Sequence, residues 1–189
     1  MRVIAGSARG TVLFSPRGDA TRPTSDFVKE NIFNIIRDDV YGVDFLDLFA
    51  GSGAVGIEAL SRGANSATFV DASQKCVALV QRNLEKTRLK DKAVVIKADA
   101  TNAIEKLAAQ GQKFGIIFLD PPYFGDFVDN VLQAIVHKDI LARDGYIILE
   151  MSKHEAVPRL GGLTVFKEKE YSGTRLVFMD IPGIVRDDE

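Results

Sequence analysis

Asp44-Phe45-Leu46-Asp47-Leu48-Phe49-Ala50-Gly51-Ser52-Gly53-Ala54-Val55-Gly56 is a short apolar run that breaks into three spaced glycines and resumes as a helix-forming stretch. A strand that feeds Gly-x-Gly-x-x-Gly into a helix lets backbone approach a ligand where a Cβ would forbid it. The helix N-terminus behind the loop offers unpaired N–H groups. A nucleotide-like ligand suits such a turn. Asp71 ends the next apolar run, 20 residues after Gly51, where a carboxylate can accept both hydroxyl hydrogens of a ribose. Asp99 ends the third run, in place to contact an adenine amine or a neighbouring loop.

Working outward, short apolar runs alternate with amphipathic stretches, the pattern of βα units feeding a parallel sheet. The spacing predicts strands at 44–49, 66–71, 93–98, 114–120 and 145–150, with helices near 54–62, 73–87, 101–109 and 126–137. Gly63, Gly111 and Gly145 mark helix exits or turns. Runs at 163–169 and 174–181, parted by Tyr171-Ser172-Gly173, read as a closing antiparallel pair. Upstream, two strand-like runs within residues 2–14 flank Gly6-Ser7-Ala8-Arg9-Gly10 and predict a hairpin. Thr24 or Ser25 then caps a helix ending near Asp38.

Dinucleotides and S-adenosylmethionine both present an adenosine, and the glycine loop does not choose between them. Asp47 leans toward the second: inside the first strand it could support the loop or meet the cationic amino group of a methionine moiety. A pyrophosphate would find that charge a poor neighbour.

The class is decided where the fourth strand, Phe114 to Leu119, runs into Asp120-Pro121-Pro122-Tyr123. Two prolines fix φ and remove two N–H donors, so the turn presents carbonyls and the Asp120 carboxylate as acceptors. An amine on an aromatic ring is a donor that such acceptors can orient. Its lone pair is delocalised into the ring, so hydrogen bonds that favour a pyramidal nitrogen aimed at a methyl donor are most of the catalysis. Tyr123 would stack on the base.

Composition bounds the rest. With 189 residues, 46% hydrophobic and 26% charged, the chain is expected to fold as one domain, residues 1–24 forming an extension and 25–189 the core. No apolar run approaches the roughly 18 residues of a membrane span, and Arg9 interrupts the N-terminus before any signal-type apolar region, so a cytoplasmic protein is expected. Cys76 is the single cysteine and His137 and His154 the only histidines, which leaves no usual metal-ligand set. The net charge is −2, but residues 1–37 carry six basic side chains, among them Arg2, Arg9, Arg17, Arg22 and Lys29, against three acidic ones. That end could meet phosphates.

Arg2-Val3-Ile4-Ala5-Gly6, Arg9-Gly10, Arg22-Pro23-Thr24-Ser25-Asp26, Lys29-Glu30-Asn31-Ile32-Phe33-Asn34 and the Asp47 to Gly53 block, joined to the Asp-Pro-Pro-Tyr turn, resemble the bacterial RsmD family. These are class I S-adenosylmethionine-dependent methyltransferases that modify the exocyclic N2 amine of one guanine in 16S ribosomal RNA. The resemblance runs from Arg2 to near Asp180. It implies a Rossmann-like α/β fold: a mostly parallel seven-stranded sheet with an antiparallel closing strand, helices on both faces and a small N-terminal hairpin. It further implies that Thr24, Asp47, Phe49, Ala50, Gly51, Ser52, Gly53, Asp71, Ala72, Asp99, Ala100 and Asp120 surround S-adenosylmethionine. Asp120, Pro121, Pro122 and Tyr123 would hold the base, while Arg2, Arg9, Arg17 and Arg22 would meet RNA. A monomer acting on an assembling or assembled small ribosomal subunit, without a metal, is the expected form.

Rival readings each leave something unexplained. A DNA amino-methyltransferase shares the turn, but a chain this short has no residues left for a target-recognition domain. Protein-glutamine methyltransferases usually start the turn with Asn. A nicotinamide-dependent oxidoreductase leaves residues 120–123 idle, and a non-catalytic RNA-binding module leaves the cofactor loop idle. Cys76 reads as packed and His137 as a helix-end residue, while His154 has no evident partner. Tyr171 and Arg175 fit a structural role at least as well as a substrate contact.

Overall fold

The strands are β1 (Asp44–Asp47), β2 (Ser66–Asp71), β3 (Ala93–Lys97), β4 (Phe114–Leu119), β5 (Leu141–Ser152), β6 (Thr164–Glu170) and β7 (Thr174–Asp180). They form one sheet of order β3-β2-β1-β4-β5-β7-β6 in a computed structural model that describes residues 1–15, 26–122, 126–171 and 173–182. The first five strands run parallel, and β7 lies antiparallel to both β5 and β6. After β3 the chain recrosses to the far side of β1, so the switch point lies between β1 and β4. Open α/β sheets place ligands outside the carboxyl ends of the strands at that point.

Among the described residues five α-helices cover the sheet: α1 (Asp26–Ile35), α2 (Ala54–Ser61), α3 (Gln74–Thr87), α4 (Ala100–Ala109) and α5 (Asp126–His137). One core joins Ile32 and Phe33 of α1, Ile57 of α2 and Val80 of α3 to Phe45, Phe69, Phe118 and Ile148 of the sheet. The other joins Ile104 of α4 and Leu132 of α5 to Leu46, Ile117 and Leu149. Alternate residues of one strand thus serve opposite faces, as the pleat requires. The third glycine of the loop is what lets α2 lie this close: a Cβ on Gly56 would stand 2.3 Å from the Phe69 ring.

The βα pattern is confirmed with shifted bounds: β1 ends at Asp47 rather than 49, α1 at Ile35 rather than near Asp38, and β5 at Ser152 rather than 150. Strand β5 begins at Leu141 rather than 145, because exposed, polar Arg143 and Asp144 break the apolar run there while the pairing shifts register between Phe114 and Ile116. The N-terminal hairpin is narrower than the apolar pattern suggests. Arg2 and Val12 form one antiparallel bridge, and Val3, Gly10 and Leu13 add amide bonds to Thr11, Val3 and Met1 carbonyls.

Polar groups dock that arm. Glu58, fully buried in α2, accepts from the Ile4 and Ala5 amides at 2.8 and 3.0 Å, from Arg62 Nε at 2.8 Å and from buried Lys29 Nζ at 3.2 Å. Lys29 also donates to the Arg2 carbonyl at 2.5 Å. Lys29 therefore does not join the basic surface that the charge count assigned it to.

Candidate active site at the carboxyl edge of the sheet

Where β1 ends, Leu48 and Ala50 still donate to the Phe118 and Val70 carbonyls at 3.1 and 3.0 Å, holding the chain between β4 and β2. It then turns through Gly51 and Gly53, whose φ values of 54° and 76° are left-handed, and Gly53 donates to the Ala50 carbonyl at 2.6 Å before α2 starts. The Gly51 amide points to Asp71 Oδ2 at 2.9 Å, and Asp71 Oδ1 accepts from the Ser73 amide at 2.8 Å. Asp71 thus shapes the loop from the end of the neighbouring strand. Each of its oxygens keeps lone-pair capacity for a further donor.

Asp47 is strongly perturbed. It is 1% exposed and accepts from the Gly56 amide at 3.1 Å. Burial pushes its carboxyl up to about 7, the Gly56 bond opposes this, and the nearby charges of Asp120 and Asp71 push the same way. Asp47 therefore sits between two other carboxylates, Asp71 and Asp120, at the carboxyl ends of adjacent strands. A buried acid perturbed by desolvation and by charged neighbours, as Asp47 is, is a functional-site candidate.

A fourth carboxylate was not anticipated from the sequence. Leu119 of β4 pairs with Leu149 of β5, so Asp120 and Glu150 each stand one residue past a paired position. Glu150 is 8% exposed, and the strand alternation puts it on the face of Ile148, as Asp120 shares the face of Phe118. The available signal was an acidic residue at the end of the apolar run Tyr146 to Leu149, much as Asp71 and Asp120 close theirs.

The other expected residues fall as follows. Asp99 caps α4, accepting from the Asn102 amide at 3.0 Å, Thr101 Oγ1 at 2.8 Å and the Asn102 side-chain amide, bonds that hold its carboxyl below the usual range. Ala72 is exposed beyond β2, Ala100 is buried at the start of α4, and Ser52 and Ala50 are buried in the loop. Phe49 is partly buried, its ring 5.9 Å from that of Phe127. Pro121 is buried and Pro122 exposed. Arg2 and Arg9 are exposed on the arm. Thr24, Arg17, Arg22 and Tyr123 lie outside the described residues.

Among the residues set aside on sequence, Tyr171 meets Phe27 edge-on at 5.7 Å, and Arg175 is held by Glu170 at 2.7 Å and the Lys153 carbonyl at 3.2 Å. Cys76 is partly buried and its thiol is pushed up, chiefly by burial, which disfavours the reactive thiolate. A surface cavity of about 810 Å³ beside β6 and β7 is lined by Val157, Leu160, Leu163, Val165 and Arg175, with no contribution from the glycine loop.

The model of the family conserved hypothetical protein 95 matches residues 1–180. YlbH of Bacillus subtilis is 42% identical over 173 residues, 92% of this chain and 94% of that one. Ribosomal RNA small subunit methyltransferase D of Escherichia coli K12 is 32% identical over 158 residues, 84% of this chain and 78% of that one. The solved structure of yhhF from Escherichia coli superimposes with a TM-score of 0.83 at 26% identity, covering 96% of this chain and 97% of that one. A glycine loop, a row of strand-end carboxylates and relatives matched over nearly their whole length agree: the chain belongs to the RsmD family of methyltransferases.

Proposed function

We propose that this protein transfers a methyl group from S-adenosylmethionine to the exocyclic N2 amine of a guanine in small-subunit ribosomal RNA. The observation that carries the reading is the meeting of Asp47, Asp71 and Asp120 around a left-handed glycine loop at the switch point of the sheet. The donor set fits the cofactor: Asp71 can accept from a ribose diol, and buried Asp47 can neutralise an amino group near the loop. Ala50 to Gly53 would line its middle. Asp99, with Ala72 and Ala100 nearby, would serve the adenine end. Phe49 and Thr24 would close over the rest. Bound there, the cofactor supplies an electrophilic methyl group on a sulfonium sulfur.

The chain's own work is orientation. Asp120 and the Pro121 carbonyl accept from the target amine and turn its lone pair toward the methyl group, and the two prolines hold both acceptors in place. Tyr123 offers its ring to the base, a contact worth about 1 to 3 kcal/mol. The edge of guanine carries a ring N–H beside its amine, two neighbouring donors. Adenine and cytosine carry an acceptor beside theirs. Asp120 with Glu150 next to it supplies two acceptors, which favours guanine over the DNA bases that share this turn. The proton lost after transfer goes to Asp120 or to water.

The name of the Escherichia coli relative supports ribosomal RNA of the small subunit as substrate. The acidic net charge supports a substrate recognised partly by its shape, within an assembling or assembled subunit. Asp120→Ala tests the assignment. Methyl transfer should fall by at least a hundredfold while the dissociation constant for S-adenosylmethionine stays within about twofold, since orientation and acid–base help are worth about 10²-fold or more. Equal loss of both would remove Asp120 from the base site.

A further inference from the structure

We infer that Phe14 and the outer face of α3 form a contact site for the sugar-phosphate backbone of the RNA, an inference that rests on the RNA-methyltransferase reading above. The arm reaches α3 through Asn83, which is fully buried. Its Oδ1 accepts from the Phe14 amide at 2.8 Å, and its Nδ2 donates to the Phe14 carbonyl at 3.0 Å and to the Ser52 carbonyl at 2.8 Å. One side chain thus ties the end of the arm to the glycine loop. That connection places Phe14 beside the proposed cofactor loop.

With its backbone fixed on both sides, Phe14 holds its ring at the surface, 38% exposed. Arg82 Cζ stands 4.3 Å and Lys86 Nζ 4.5 Å from the ring centroid. Four residues apart on α3, the two cations share one helix face. Among the described residues neither makes an ion pair, although Glu85 and Lys90 beside them pair at 3.1 Å. The ring attracts the cations without neutralising them. The result is a positioned pair of positive charges with no counter-ion among the described residues, at the other end of the arm that carries exposed Arg2 and Arg9. A polyphosphate backbone is the partner that complements it, because closely spaced single negative charges match spaced single positive ones, and released counterions drive the contact.

The site is tested by binding a 16S ribosomal RNA transcript across a salt series. Arg82→Gln/Lys86→Gln should lower affinity about tenfold and flatten the plot of log affinity against log salt by about 1.5, the loss of two phosphate contacts. Binding of S-adenosylmethionine should not change, which also shows that the variant is folded. Lys106→Gln/Lys138→Gln, on the opposite face of the sheet, should leave the slope as it is. A slope unchanged in the α3 variant, with Arg2→Gln/Arg9→Gln flattening it, would overturn the α3 site and leave the RNA reading standing. No RNA binding by the wild-type protein, naked or in small subunits, would overturn both.

Discussion

Asp47 is a buried carboxylate that accepts, among the described residues, from one backbone amide, and its cost can be measured. Burial and the charges of Asp120 and Asp71 raise its pKa from 3.8 to about 7. Between those values the folded chain holds a proton that the unfolded chain has released, so this group makes stability fall as pH rises from about 4 to about 7. Above the folded value the penalty is complete; at about 1.4 kcal/mol per unit it amounts to a few kcal/mol. Asp47→Asn keeps an acceptor for Gly56 and removes the charge. Urea midpoints at pH 5 and pH 8 should therefore differ less in the variant, and the variant should be the more stable at pH 8. Equal pH differences in the two proteins would mean that Asp47 is ionised cheaply. The same geometry predicts proton release when a cation seats beside Asp47. Titration calorimetry with S-adenosylmethionine near pH 7, in buffers of unequal ionisation heat, should show it.

At the scale of elements, the N-terminal arm is held by buried polar groups rather than by a ladder. Glu58 alone serves two arm amides, Lys29 and Arg62. Removing one partner of a buried pair leaves an uncompensated charge, so Glu58→Ala should cost about 3 to 5 kcal/mol of unfolding free energy in urea. A loss under about 1 kcal/mol would show that the arm docks by apolar contact. Periodicity could not reveal this pair. Lys29 and Glu58 are 29 residues apart, and each reads locally as a surface residue of its own helix. The one hint was an acid inside an otherwise apolar Ala54 to Leu60. The βα alternation, by contrast, was legible because buried parallel strands are continuous apolar runs, and α5 matches its expected bounds at Asp126–His137. Strand β5 was cut short for the same reason in reverse: Arg143 and Asp144 are exposed, so the pairing there leaves no apolar trace.

For the whole molecule, the strand order places β2, β1, β4 and β5 side by side, with Asp71 and Asp47 ending the first two, Asp120 following the third and Glu150 near the end of the fourth. The first three were legible one by one, each attached to a recognisable motif. Their convergence depends on the recrossing after β3, which linear order does not display, and Glu150 sits in no motif at all. The row divides the work as proposed: the acids of β2 and β1 for the cofactor, those of β4 and β5 for the base. The central claim is that this row methylates guanine in small-subunit RNA. It is tested most directly by incubating the protein with isotopically labelled S-adenosylmethionine and unmodified 16S RNA or small subunits, digesting the RNA and identifying labelled nucleosides by mass spectrometry. Labelled 2-methylguanosine, absent with Asp120→Ala, is the predicted result. Label in another nucleoside, or none from a protein that binds the cofactor, would contradict it.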